Sequence, residues 1–280
     1  MTIREAAFHA SNRLSATGIE TPWLDAWVLL AHILDTDREH LFASYTDPID
    51  QTVVDELDRL IEKRLEGYPV SYLIGRKEFY GLTFAVDERV LVPRPDTEVL
   101  VESVLATVDA NQWIERVHDC CTGSGCVAIA IAHERVHLDV TGSDVSAEAI
   151  EVAKMNSRRI LNRELAFYVT DLLPSLPSRY HLITANAPYI RADEYEAMRR
   201  SGWPEPSVAL EAGADGLDVY RRLIPASVDS LCKGGYLFVE AADNQSDRVR
   251  RLLLQSGFSA VGAAEDLGGR RRVCWGRLEA

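Results

Sequence analysis

From Asp96 to the end of the chain, short apolar runs alternate with longer segments of helical period. The strand candidates are Arg116–Cys120, Asp139–Ser143, Ala166–Val169, His181–Ala185, Tyr236–Glu240, Phe258–Ala263 and Arg272–Gly276. Between them lie helix candidates at Thr97–Val108, Gly125–Glu134, Ser146–Arg159, Leu217–Leu231 and Gln245–Gln255. Strands separated by helices predict an α/β fold, a mainly parallel sheet with helices on both faces. The last two runs are joined too closely for a crossover helix, so they predict an antiparallel hairpin at the sheet edge.

The preceding residues differ in kind. Residues 1–75 predict a small helical domain. One helix opens at Thr21-Pro22, with Trp23, Trp27, Leu30, Ala31 and Leu34 on one face, both tryptophans being assigned to the bundle core. Another runs from Asp50 to Glu66, and Gly67 and Pro69 stop it. Residues 76–95, with Phe79, Leu82, Phe84 and Val86 around Gly81, predict a hairpin linker, and residues 96–280 form the α/β domain.

Composition removes several classes. A chain of 280 residues, 47% hydrophobic and 26% charged, supports a full core without disulfide or metal staples. No apolar run approaches the roughly 20 residues of a membrane span, and the N-terminus lacks a secretory pattern. The net charge of −13 argues against direct, non-specific nucleic-acid binding, which depends on Lys and Arg neutralising phosphates. Cys120, Cys121, Cys126, Cys232 and Cys274 form no Cys-x-x-Cys pair and no zinc spacing, so we expect no metal, reduced thiols and a cytoplasmic setting.

Two segments carry chemistry. Asp119-Cys120-Cys121-Thr122-Gly123-Ser124-Gly125 joins a strand to a helix, where glycine permits close backbone approach and the helix N-terminus offers free N–H donors. Asp144 ends the next strand, where a carboxylate can accept from ribose hydroxyls. The dinucleotide fingerprint is absent, because its third glycine would fall at Ala128. The triphosphate loop is absent too, since no Lys-Ser/Thr follows Gly125. S-adenosylmethionine remains, and its sulfonium suits an acidic loop. The second segment, Thr184-Ala185-Asn186-Ala187-Pro188-Tyr189, follows the fourth strand of the sheet and opens onto the same crevice. Asn186 can hydrogen-bond a planar amide or amino group, and Tyr189 can stack on it.

With these motifs the chain resembles the release-factor glutamine methyltransferases over nearly its whole length. The likeness includes Leu24-Asp25-Ala26, Tyr68-Pro69-Val70-Ser71-Tyr72-Leu73-Ile74-Gly75 and Phe79-Tyr80-Gly81-Leu82-Thr83-Phe84. It includes Val92-Pro93-Arg94-Pro95-Asp96-Thr97-Glu98, the most family-specific stretch, and Thr122-Gly123-Ser124-Gly125. Further on it includes Asn186-Ala187-Pro188-Tyr189, Glu205-Pro206, Gly213–Leu217 and Gly269–Val273. The resemblance implies a Rossmann-like seven-stranded methyltransferase domain whose cofactor is S-adenosylmethionine. Its protein substrate would be a peptide chain release factor, methylated on the glutamine of a Gly-Gly-Gln motif and gripped by residues 1–75. Cys121, Thr122, Gly123, Ser124 and Gly125 would line the methionine and adenosine of the cofactor, with Asn186 beside them. Asp144 would take the ribose, and Asp171 and Leu172 the adenine. Asn186 and the carbonyl of Ala187 would hold the substrate amide, and Pro188 and Tyr189 would shape its slot.

Three positions depart from the family pattern. Ala187 replaces a proline, which removes a fixed φ while leaving the carbonyl in place. Cys121 stands where many methyltransferases have glycine, at a cost if φ is positive there. Ala241-Ala242 follows Glu240 where a glycine is expected. The Cys-Thr-Gly-Ser-Gly-Cys loop also resembles the sister enzymes that methylate a large-subunit ribosomal protein. A nucleic-acid adenine methyltransferase and a cofactor-binding relative without turnover are the other readings. Arg270, Arg271 and Arg272 read as a solvated turn, and Arg199-Arg200 as part of a loop.

Overall fold

Residues 1–175 and 179–279 are described in the computed structural model. The chain forms two compact units, Met1–Arg76 with Met198–Pro204, and Lys77–Ala197 with Glu205–Ala280. The expected hairpin linker thus falls almost wholly within the second unit, and a short later segment belongs to the first.

The first unit contains α1 (Ile3–Ser15), α2 (Pro22–Ile33), α3 (Arg38–Ala43), α4 (Gln51–Leu65) and α5 (Val70–Leu73). Thr2 and Glu5 close a capping box on α1, and the Asp37 side chain caps α3. Apolar faces of α1, α2 and α4 meet through Ala6, Ala10, Leu14, Leu29, Leu30, Leu57 and Ile61, all buried. Arg64 donates to the buried Asp25 carboxylate at 2.8 Å. Thr21 precedes α2 without capping it; its hydroxyl donates instead to Asp25. The tryptophan pair divides. Trp27 is 3% exposed and stacks on Phe42 at 4.4 Å, whereas Trp23 is 44% exposed. Trp23 is therefore not a core residue: the buried side of α2 runs through Ala26, Trp27, Leu29 and Leu30 and leaves position 23 at its margin.

The second unit opens with β1 (Arg76–Phe79) and β2 (Leu82–Ala85), joined through Tyr80-Gly81 with φ of +52° and +70°, the left-handed pair that a tight hairpin turn requires. Then follow α6 (Glu98–Ala110), β3 (Arg116–Cys120), α7 (Cys126–Glu134), β4 (Asp139–Asp144), α8 (Ala147–Leu161), β5 (Ala166–Val169) and β6 (Tyr180–Ala185). The chain continues through α9 (Ala192–Arg200), α10 (Asp218–Ser230), β7 (Leu231–Glu240), α11 (Ser246–Gln255), β8 (Phe258–Glu265) and β9 (Arg271–Leu278). The seven-stranded sheet has the order β5-β4-β3-β6-β7-β9-β8, with β9 antiparallel to both neighbours and the other pairs parallel. Every expected strand is present. Helix α9 was not expected: none of its residues is buried, so it carries no apolar stripe to announce it, and Arg199-Arg200 ends this helix rather than lying in a loop.

Strand order reverses between β3 and β6. In an open parallel sheet, the crevice beyond the carboxyl ends of two such strands is where ligands bind. Cys120 ends β3 and Ala185 ends β6, so Cys121–Gly125 and Asn186–Tyr189 both start at this crevice.

Candidate active site

A cavity of about 330 Å³ occupies the crevice. Cys121, Thr122, Gly123, Ser124, Asp144, Asp171, Leu172, Asn186 and Pro188 all line it, so most of the residues singled out by sequence converge there. Gly125, Ala187 and Tyr189 lie outside the lining. Gly125 precedes α7 with φ of +80°, and a Cβ there would come within 2.9 Å of Ile129 and 3.2 Å of Ala153, so its lack of a side chain serves helix packing. Ala187 is 1% exposed and belongs to the apolar core, and Tyr189 packs against that same core.

The loop after β3 is held from several sides. Thr122 N–H donates to the Ser143 carbonyl at 2.9 Å. Asn156, buried in α8, donates to the Ser124 carbonyl at 2.9 Å while its Oδ1 accepts from Ala85 N–H at 2.8 Å. Gly123 has φ of +53°, and a Cβ on it would meet nothing within 4 Å: its cavity face is open for a ligand to lie against the backbone. Cys121 also has positive φ, +58°, and Leu172 has +66°. Side chains held in this region carry about 1–3 kcal/mol of strain. Such strain collects at ligand sites, and both residues line this one.

Carboxylates dominate the electrostatics. Asp144 accepts from Gly123 N–H at 2.9 Å and from Ser146 N–H at 3.0 Å. Burial raises its pKa, and the backbone hydrogen bonds oppose that rise. Asp119 accepts from Thr122 at 2.6 Å and Thr184 at 2.8 Å, and its burial pushes the carboxyl up to about 6. Asp171 pairs with Arg222 at the rim. Burial also pushes Cys126 and Tyr189 up to about 12, which keeps both protonated and excludes them as ready nucleophile or base at neutral pH. Among the described residues, no group of His, Cys, Asp and Glu could hold a metal ion, and all five cysteines are free.

Sequence reasoning missed part of the lining. Leu91, Pro93 and Thr97 come from the stretch leading into α6, and Arg222 comes from α10. Only the family-specific Val92–Glu98 segment signalled any of them, and it named no chemistry. That stretch is pinned by Glu205, whose buried carboxylate accepts from Val92 N–H at 2.9 Å and pairs with Arg94. Of the arginines near the C-terminus, Arg270 is exposed at the turn before β9 as expected, whereas Arg271 and Arg272 belong to β9 and are paired. Arg271 bonds Asp243 and Asp247, and Arg272 reaches Asp96 at 2.7 Å and Asp266 at 2.9 Å.

Comparison with known proteins adds the family. Residues 5–75 match the model of the PrmC N-terminal domain, and residues 95–200 match the methyltransferase small domain. The release factor glutamine methyltransferase of Coxiella burnetii is 34% identical over 274 residues, covering 98% of both chains. That of Xylella fastidiosa is 38% identical over 259 residues, covering 91% of this chain and 92% of the relative. A crystal structure of a Pyrococcus furiosus methyltransferase, 15% identical, superposes with a TM-score of 0.51, covering 73% of this chain and 92% of the other; it shares the fold.

Proposed function

The chain belongs to the release factor glutamine methyltransferase family, and from that membership we propose its reaction and the part each residue plays. It transfers a methyl group from S-adenosylmethionine to the side-chain amide nitrogen of glutamine in the Gly-Gly-Gln motif of peptide chain release factors. The observation that carries the reading is the meeting of Gly123, Asp144 and Asn186 around one cavity at the strand-order reversal.

The cavity suits the cofactor in three ways. Gly123 offers an open backbone face. Asp144, fixed by two backbone donors, keeps acceptor capacity for ribose hydroxyls. Asp119, Asp144, Asp171 and Glu211 in the wall outnumber Arg89 and Arg222, a balance that favours a positively charged ligand. When bound, S-adenosylmethionine supplies a methyl group made electrophilic by its sulfonium. Cys121, Thr122 and Ser124 border the same face, Gly125 sets the turn behind them, and Leu172 with Asp171 walls the far end.

Asn186 works on the substrate side. Its Nδ2 donates to Thr97 at 3.1 Å, which leaves Oδ1 to accept from the incoming amide N–H. The Ala187 carbonyl takes the second N–H, and Pro188 and Tyr189 bound the flat carboxamide. Holding both N–H groups aims the nitrogen and stabilises the positive charge that develops as the methyl arrives. Water accepts the proton afterwards, so no strong base is required. The helical first unit, with its match to the PrmC N-terminal domain, recognises the release factor. No helix among the described residues is long and apolar enough to cross a membrane, and we assign the enzyme to the cytoplasm.

The test is transfer from labelled S-adenosylmethionine to a purified release factor, beside a factor carrying Gly-Gly-Glu. Label on the Gly-Gly-Gln factor alone supports the reading. Label on neither, with cofactor binding intact, overturns it.

A further inference from the structure

We propose that Gln245 is a positioning residue for this reaction: it anchors the far end of the Asn186–Tyr189 loop and thereby restrains Ala187, a residue whose φ no ring fixes. The proposal rests on the function just described.

The loop starts from a fixed point. Ala185 ends β6 in register with Val239 of β7, and the next residue, Asn186, donates from Nδ2 to Thr97 at 3.1 Å. Pro188 has its φ set by its ring and biases Ala187 towards extended backbone. The φ of Ala187 has no covalent restraint of its own. Its carbonyl is the second acceptor for the substrate amide, so freedom at this residue acts on the aim of the reacting nitrogen.

The restraint comes from the other end. The Tyr189 carbonyl accepts from Gln245 Nε2 at 2.9 Å, and the Ile190 N–H donates to the Leu210 carbonyl at 2.9 Å. Those two groups belong to one planar peptide unit, which is therefore gripped from both edges. The Ala212 N–H then donates to the Ile190 carbonyl at 2.8 Å. Ala187 and Pro188 thus span the gap between two anchored points. Ala187 is 1% exposed, within the core that includes Leu217, Tyr220 and Ala241.

Gln245 is itself firmly placed. It closes the short turn Asp243–Gln245 after β7, and its N–H donates to the Ala242 carbonyl at 2.9 Å. Just before that turn, the Ala241 N–H donates to the Arg272 carbonyl at 2.8 Å, a tie to β9. Gln245 Nε2 also approaches the Gly216 carbonyl at 3.5 Å. Both partners only accept, so the NH2 end of the amide must face them. Its Oε1 is left buried with no hydrogen-bond partner among the described residues. The side chain gives up one hydrogen bond, at a cost in stability, to make the one to Tyr189. Gly216 makes the room. Its φ is +73°, and a Cβ there would lie 2.4 Å from both Gln245 Nε2 and the Tyr189 carbonyl oxygen.

The experiment compares wild type, Gln245→Met, Ala187→Pro and the double variant, reading kcat on a release factor and S-adenosylmethionine affinity. Gln245→Met keeps the length of the side chain and loses the donor. It should lower kcat about 10- to 100-fold, the scale of a slightly misaimed reacting group, with cofactor affinity held. A ring at position 187 supplies the same restraint covalently. Gln245→Met should therefore cost far less when measured against Ala187→Pro than against wild type, the non-additivity of two devices serving one end. Wild-type kcat in Gln245→Met overturns the proposal, as do equal losses in the two backgrounds. A kcat that falls only in proportion to cofactor affinity also overturns it, marking Gln245 as structural.

A second measurement needs neither variant nor turnover. The side-chain N–H protons of Gln245, committed to buried carbonyls, should exchange with solvent far more slowly than those of exposed Gln112. Exchange at the Gln112 rate overturns the clamp. Failure of wild type to label the release factor overturns the substrate reading alone, and the exchange rates still decide the clamp.

Discussion

The amide of Gly123 donates to the carboxylate of Asp144 at 2.9 Å, tying the loop after one strand to the tip of its neighbour. The two residues face one cavity, one with bare backbone and the other with a fixed charge. Replacing Asp144 with alanine removes a charged acceptor and frees the loop together. S-adenosylmethionine affinity should fall about 10- to 100-fold, the range for hydrogen bonds to a charged group. Isothermal titration of the purified variant checks this, and unchanged affinity would remove Asp144 from the cofactor site.

Asn186→Ala should separate binding from chemistry. The cofactor contacts assigned to the loop after β3 remain, so affinity for S-adenosylmethionine should hold within a few-fold. Loss of the amide that orients the substrate should lower kcat by about 10²-fold, as for removal of a preorganised polar group. Single-turnover methyl transfer with saturating cofactor measures the step directly.

Most of this architecture could be read from the chain. Strands β3, β4, β6 and β7 are buried along most of their length, and burial on both faces writes itself into consecutive residues. The site was legible where it is local: Thr122–Gly125 sits between a strand and a helix, and Asp144 ends the next strand. What escaped depends on distant partners. Thr97 and Asn186 are 89 positions apart, and Asp171 and Arg222 are 51 apart, distances that no local pattern spans. Helix α9 escaped for the opposite reason, since it buries nothing. Trp23 misled because its helical phase matches Trp27 while its position on α2 lies at the edge of the buried side.

Glu205 acts through the cavity wall. It is the acceptor for the buried Val92 N–H and the partner of Arg94. Glu205→Ala leaves that N–H unsatisfied, at about 1–3 kcal/mol of stability. Because Leu91 and Pro93 flank the same anchor and line the cavity, cofactor affinity should weaken in parallel. Urea denaturation with and without S-adenosylmethionine reads both effects. A drop in stability with no loss of affinity would confine Glu205 to folding.

Asp119 makes the effect of pH on stability testable. Its carboxyl is raised from 3.8 to about 6 by burial. Between those values the folded state holds more protons than the unfolded state. The stability this group contributes is therefore complete below 3.8 and lost as pH rises through about 6. Asp119→Asn removes that titration while keeping one acceptor for Thr184. The variant should gain on wild type as the buffer goes from about pH 4 to about pH 7, seen as a rising difference in urea midpoints. Buried His118, held down at about 3, titrates alike in both proteins and cancels. A constant difference across that range would contradict the shift.

The membership of Met198–Pro204 in the first unit governs the order in which a newly made chain can mature. Synthesis delivers the five N-terminal helices early, yet the last piece of their unit leaves the ribosome only after strands β3 to β6 have been made. The apolar core of those helices is complete by residue 74, and the later segment adds its contacts only after strands β3 to β6 have been made. Translation arrested before residue 198 should leave them less resistant to protease than arrest far enough beyond residue 204 for that segment to clear the ribosome.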